Sequence, residues 1–310
     1  MGHSCLGVTD LTLLDDVTTT GESTRRPRRR DLRAERPQIT LDLTRYEQAA
    51  EAAQAPRTDV VKLFGLEVDA LTMAASVDRA EQLVQARRPS HHVVINAAKV
   101  VAMKKDERLR AAVEHADMVN VDGQSIVWAS RWLGGRVPER VAGIDFMDAM
   151  VERAALRGWP VYFLGATDRA LSGCIDHFTE RFPSLVIAGA RNGYWTPDEE
   201  PAVLREVASS GAAVVFIAIP TPRKEFLVAD HLEEFGNALV VGVGGSFDVF
   251  AGLISRAPKW AQRAGLEWAH RLAKEPARMW KRYLVGNTLF CVHVAQSWWR
   301  IRVGHGSPEV

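Results

Sequence analysis

The stretch ALVVGVGGSFDVFAGLISRAPKW, Ala238 to Trp260, joins a short apolar run to a glycine-rich turn and then to a segment with the texture of a helix. Leu239, Val240 and Val241 suit a strand buried on both faces, because interior strands of parallel sheets read as near-continuous aliphatic runs. Gly242, Gly244 and Gly245 follow at once. Lacking a Cβ, they admit positive φ and let a ligand approach the main chain, and amides opening the next helix can face a phosphate or ribose oxygen. Asp248, one turn on, has the chemistry to accept hydrogen bonds from ribose hydroxyls. A glycine turn also serves plain chain reversal in any α/β protein. What favours a ligand wall is the neighbourhood: Arg256 and Pro258 bring a cation and a helix breaker close behind the turn. That combination suits an anionic ligand.

The same alternation extends upstream. HHVVIN ends a strand at Asn96, residues 97–116 read as one or two helices, and Met118 to Val121 form a strand that ends in Asp122 and Gly123. Ala80, Leu83 and Val84 recur with helical period. Val161 to Leu164, Leu185 to Ala188 and the run AAVVFIAIP at 212–220 supply further strands. Asp168 to Arg181 and TPRKEFLVADHLEEF at 221–235 supply helices between them, and ARNGYW at 190–195 is a loop. Six or so strands alternating with helices predict a doubly wound, largely parallel, Rossmann-like α/β sheet. Ligands of such sheets bind beyond the carboxyl ends of the strands, so Asn96 and Asp122 stand where chemistry can occur.

The chain's 310 residues, 47% of them hydrophobic, are enough for a large core. Thirty-nine basic residues against thirty-eight acidic ones leave no global field to draw the molecule to nucleic acid. Cys5, Cys174 and Cys291 show no pairing or zinc spacing, which fits a reducing cytoplasm. No apolar run approaches the ~20 residues that span a bilayer. Three parts are expected. Residues 1–56, with seven arginines between Arg25 and Arg36, read as a disordered basic extension. Residues 57–255 form the α/β domain. Residues 256–310 form a basic, tryptophan-rich helical appendage, in which ten lysines and arginines between 256 and 302 face two glutamates and accompany five of the nine tryptophans. Cations interleaved with indoles suit an anionic membrane surface, unless the tryptophans pack the last helices onto the core. No pattern of a nucleic-acid-binding module accompanies them.

Several segments together resemble the WecG/TagA/CpsF family of bacterial glycosyltransferases, glycosyltransferase family 26. They are VNVDG at 119–123, RVAG.D at 140–145, FLGA at 163–166, NGYW at 192–195, PTPRKE at 220–225, VGVGGSFDVFAG at 241–252, RAPKW at 256–260 and the GLEWAHRL segment through Tyr283. The resemblance implies inverting transfer of a sugar (N-acetylmannosamine-type, uronic acid or hexose) from a UDP-sugar to a polyprenyl-diphosphate-linked saccharide in cell-surface polysaccharide synthesis. It implies no cofactor and no essential metal, and an enzyme in the cytoplasm, peripheral at the inner face of the membrane.

Such a reaction needs a base for the acceptor hydroxyl and a counter-charge for the leaving diphosphate. Asp122 is the candidate base, or else a helix-capping aspartate. Arg140, which matches the family's motif arginine, is the first candidate for the diphosphate, whose oxygens a guanidinium fork fits. Arg256, or else a surface ion pair there, and the tail arginines complete it from the same or a neighbouring subunit of a homo-oligomer. Asn96 orients acceptor or sugar. Gly123, Gly244 and Gly245 leave room for substrate, Tyr194 stacks on uracil, Asp248 binds ribose, and Lys224 reads the nucleotide-sugar. Two positions depart from the family's usual pattern. Val94 stands where a threonine is usual, and Lys224 where a glutamine is usual; both bear on the donor rather than on the reaction type. The rival readings are an NAD(P)-dependent oxidoreductase, disfavoured by Phe247 at the third glycine position of the fingerprint, and a non-catalytic membrane-surface protein.

Overall fold

Each interior apolar run becomes a parallel strand because neither of its faces meets water. The computed structural model describes residues 59–258, 261, 267–274 and 276–303, of which residues 271, 273, 274 and 276–285 are described by backbone alone. The basic extension 1–56 lies outside the described residues. A hairpin opens the described chain: β1 (Val60–Leu63) and β2 (Leu66–Asp69) pair antiparallel. Their two-residue turn places both Phe64 and Gly65 at positive φ, the conformation that matches strand twist in tight hairpins. There follow α1 (Met73–Gln85), β3 (Ser90–Ile95), α2 (Ala97–Met103), α3 (Glu107–Glu114), β4 (Met118–Val121), α4 (Gln124–Trp132) and α5 (Gly143–Arg157). The second half runs β5 (Val161–Gly165), α6 (Asp168–Arg181), β6 (Ile187–Arg191), α7 (Glu200–Ser209), β7 (Val214–Ala218), α8 (Arg223–His231), β8 (Leu239–Gly242) and α9 (Ser246–Phe250). The described chain ends with α10 (Glu267–Lys274) and α11 (Pro276–Arg302).

The main sheet has the order β4-β3-β8-β7-β5-β6, with every neighbouring pair parallel. The period-2 alternation of side chains divides its residues between two faces. Phe163, Phe216 and Val241 meet α1, α5 and α6 on one face. On the other, Tyr162, Ile217 and Val240 meet α7 and α8, while Val93, Ile95 and Val119 meet the hairpin and the helices around β3 and β4. The expected doubly wound α/β sheet is therefore present. Since all six strands point one way, their carboxyl ends share a single edge. The crevice where winding changes direction lies at β3 and β8: β3 leads outward to β4, whereas β8 is reached from the β7 side.

Two expectations need correction. The strand expected at Leu185 to Ala188 is Ile187–Arg191. Leu185 N–H instead donates to the Phe182 carbonyl at 3.0 Å, closing a turn around Pro183, so pairing starts two residues later and takes in Ala190 and Arg191. The helix after the glycine turn is only five residues long. Ser246 and Phe247 are buried, and so short a helix aligns too few peptide dipoles to present an N-terminal field to a ligand.

Among the described side chains of the last helix, the buried ones are apolar; Trp260 and the side chain of Trp280 lie outside the described residues. Phe290 and Val294 of α11 are buried in the cluster of the hairpin and α2, with Phe290 edge-on to Phe64 at 5.5 Å. Trp268, Trp298 and Trp299 are exposed. Among the described residues, no helix is long and apolar enough to cross a membrane.

Candidate functional site

The site is built from the carboxyl ends of β3 and β4 outward. Asp122 N–H donates to the Ile95 carbonyl at 2.7 Å, which extends the ladder by one residue and sets the half-buried Asp122 beside Asn96. Asn96 caps α2, its Oδ1 accepting from Lys99 N–H at 3.0 Å. The N-cap of α4 is Gly123, one residue beyond Asp122, at φ 156°. A Cβ on Gly123 would come within 3.9 Å of Asn96 Cβ, and one on Gly143 within 4.0 Å of Asp122 Oδ2. Glycine at these two places keeps the surroundings of the carboxylate open. Val94 fills the adjoining wall, its methyl 3.6 Å from the same point on Gly143.

Arg140 reaches this place because the Val141 amide bonds the Val121 carbonyl at 2.8 Å, laying the RVAG segment along the end of β4. Its guanidinium donates to Glu267 of α10 and stands 3.9 Å from Asp145 in the first turn of α5. Arg256 grips Asp145 with two hydrogen bonds of 2.6 Å and lies 3.8 Å from Glu267. The bond to Asp145 raises the Arg256 pKa against the effect of burial, with the charges of Glu267 and Asp122 adding to it. Asp122, Arg140 and Arg256 thus form one electrostatic group.

At the end of β8, Gly244 has φ 55°, and Asp248 Oδ2 lies 3.9 Å from where a Cβ on Gly245 would stand. The carboxylate leans back over its own glycine turn. Phe247 is fully buried, so the position where a dinucleotide fingerprint needs its third glycine is a core anchor.

Lys224 lies beneath the turn rather than on it. Its Cε is 2.9 Å from a Cβ position on Gly242, and its Nζ bonds Glu225 Oε1 and, at 2.7 Å, Thr221. Lys99 Nζ reaches the same Glu225 oxygen at 2.7 Å. Two buried ammonium groups therefore share one carboxylate, whose Oε2 is buried without a hydrogen-bond partner. Burial, then the Lys99 charge, pushes the Lys224 ammonium down from 10.5 to about 7. Burial alone would raise the Glu225 carboxyl, but Lys99 and Lys224 overcome it and hold it at about 2. Because the unfolded chain binds the Lys224 proton more tightly, stability rises with pH from about 7 to about 10.5 and is lowest below that window. Denaturant unfolding at about pH 6 and about pH 9.5 should show the native chain gaining at least ~1 kcal/mol more than Lys224→Met. Parallel responses of the two chains would show that Lys224 stays charged.

Tyr194 occupies the same edge at a distance. Gly193 N–H bonds the Ala166 carbonyl at 2.8 Å, which fixes the NGYW loop over the end of β5, and Arg223 lies over the buried Trp195 ring at 4.7 Å. Tyr194 itself is 74% exposed. β4 and β5 are four strand spacings apart, roughly 19 Å at ~4.8 Å each. The fold therefore gathers Asn96, Asp122, Gly123, Arg140 and Arg256. It sets Gly244, Gly245 and Asp248 midway along the edge, Tyr194 beyond them, and Lys224 below.

Four charged residues of the site had no role assigned from sequence: Lys99, Asp145, Glu225 and Glu267. Asp145, Glu225 and Glu267 stand inside the quoted motifs, and that was the available signal. Their partners are between 111 and 127 residues away in the chain for the Arg256–Asp145, Lys99–Glu225 and Arg140–Glu267 pairs, so spacing could not reveal them. A family model described as "Glycosyl transferase WecG/TagA/CpsF family" matches residues 61–304, which includes every one of these residues.

Proposed function

Since the chain belongs to the WecG/TagA/CpsF family of glycosyl transferases, we propose that it moves a sugar from a UDP-sugar to a polyprenyl-diphosphate-linked saccharide with inversion at the anomeric carbon. The observation that carries this reading is the half-buried Asp122 at a strand end, in the same charge group as Arg140 and Arg256. Asp122 takes the proton of the acceptor hydroxyl as that oxygen bonds to the anomeric carbon. The bond from that carbon to the β-phosphate oxygen breaks, and the departing UDP carries away the electron pair. Arg140 and Arg256 meet the charge that develops there. A donor laid along the strand ends has its sugar near Asn96 and Asp122, its ribose near Asp248 and its uracil toward Tyr194. The donor sugar is N-acetylmannosamine-type, a uronic acid or a hexose.

The acceptor's lipid brings the enzyme to a membrane surface, and one face suits that contact. Trp132 of α4 stacks with Trp298 of α11 at 6.5 Å, Arg302 lies over the Trp298 ring at 4.9 Å, and Trp128 and Trp299 are exposed nearby in sequence. Indoles seat at headgroup depth while guanidiniums meet anionic lipid.

Incubating the full chain with single UDP-sugars and a short polyprenyl-diphosphate disaccharide analogue tests the reaction. One product with inverted anomeric configuration is expected, and flotation on vesicles rich in anionic lipid should fall when Trp132 and Trp298 are both replaced by serine. Failure of every UDP-sugar to turn over, together with no binding of UDP, would leave the non-catalytic membrane-surface reading.

A further inference from the structure

The charge group, among the described residues, holds more carboxylates than guanidiniums. Among the described residues, Arg140 and Arg256 face Asp122, Asp145 and Glu267, two cations against three anions. Asp122 and Asp145 are fixed by the core: one ends β4, and the other stands in the first turn of α5. Glu267 is different. It belongs to α10, on the appendage, and like Asp145 it reaches toward both guanidiniums, Oε2 bonding Arg140 and Oε1 lying 3.8 Å from Arg256. A carboxylate spanning two guanidiniums has the shape and charge of a small stand-in for a phosphate group.

We propose that Glu267 occupies the place of the donor's diphosphate and yields it when the nucleotide binds. The proposal rests on the reading of Arg140 and Arg256 as the diphosphate's partners. In the ligand-free enzyme Glu267 keeps both guanidiniums oriented and their charge compensated. A diphosphate, with more charge and more acceptor oxygens, displaces it, whereas a monophosphate competes poorly. Glu267 thereby lowers the affinity of any ligand that must displace it from the two guanidiniums.

Calorimetric titration of UDP and UMP into the native chain and Glu267→Gln separates this from a purely orienting role. Removing the competitor should tighten UDP binding by about tenfold, the worth of one charge-assisted hydrogen bond. UMP should tighten by no more than UDP does, because a competitor costs a ligand at most its own displacement. If Glu267 only orients the arginines, Glu267→Gln weakens UDP binding or leaves it unchanged, and the proposal fails. A second measurement does not depend on the variant's folding. Trp268, the exposed neighbour of Glu267, should change its emission when UDP is added to the native chain, and Trp268→Phe should lose that change. An emission indifferent to UDP at saturation would show that Glu267 stays in place and would overturn the proposal. Absence of any UDP binding in both chains would remove the nucleotide reading itself, and this inference with it.

Discussion

Asp122→Asn lowers kcat by about 10²- to 10⁴-fold, the range of positioned proton transfer, and leaves the affinity for UDP within about twofold. The amide keeps the shape of the carboxylate and its place at the end of β4, where the backbone bond to Ile95 holds it, but it cannot take a proton. On the proposed reading the nucleotide's contacts lie elsewhere, on Arg140, Arg256 and the strand ends beyond, so binding and chemistry should separate. Steady-state kinetics paired with UDP titration checks this. Equal losses in kcat and UDP affinity would make Asp122 a structural support of the arginines. Unchanged turnover would remove it from the reaction altogether.

Arg140→Ala lowers kcat/KM by about 10²- to 10³-fold, the cost of removing one donor aimed at developing charge. The effect should fall on kcat as well as on KM, because charge on the β-phosphate is greatest as the sugar departs. Arg140→Lys recovers only part of the loss: it restores the charge without the planar fork. Arg140→Ala also frees Glu267 from its hydrogen bond. Combining it with Glu267→Gln should therefore give less than the product of the single effects, as expected of residues in direct contact. Full recovery by lysine would reduce Arg140 to a point charge, and an unaltered kcat/KM would assign the diphosphate to other cations.

Much of this was legible in the chain. Val240 and Val241 lie in the strand their aliphatic run predicts, and Asn96 and Asp122 stand at strand ends because an apolar run that stops at a polar residue marks where a buried strand meets solvent. The appendage was harder to read. Its tryptophans drew attention by composition, yet among the described side chains of α11 Phe290 and Val294 are the buried ones, since aliphatic and aromatic residues without a polar handle bury at least cost. Lys224 reads as a nucleotide-sugar contact because it stands where the resembled family usually has a glutamine. It is buried here because Glu225 and Thr221 satisfy its ammonium.

By itself the sequence determined the alternation of strands and helices, hence a parallel sheet whose strand ends share one edge, because side-chain periodicity and burial are local properties of the chain. It also marked most of the residues that stand on that edge. Only the tertiary structure decided the order β4-β3-β8-β7-β5-β6, and with it which edge residues are neighbours. That order brings Glu267 onto Arg140, 127 positions away, and Arg256 onto Asp145, 111 positions away. Pairing between charges falls steeply with distance in space and carries no mark in the spacing along the chain. The group can therefore be seen only once the fold has closed around it.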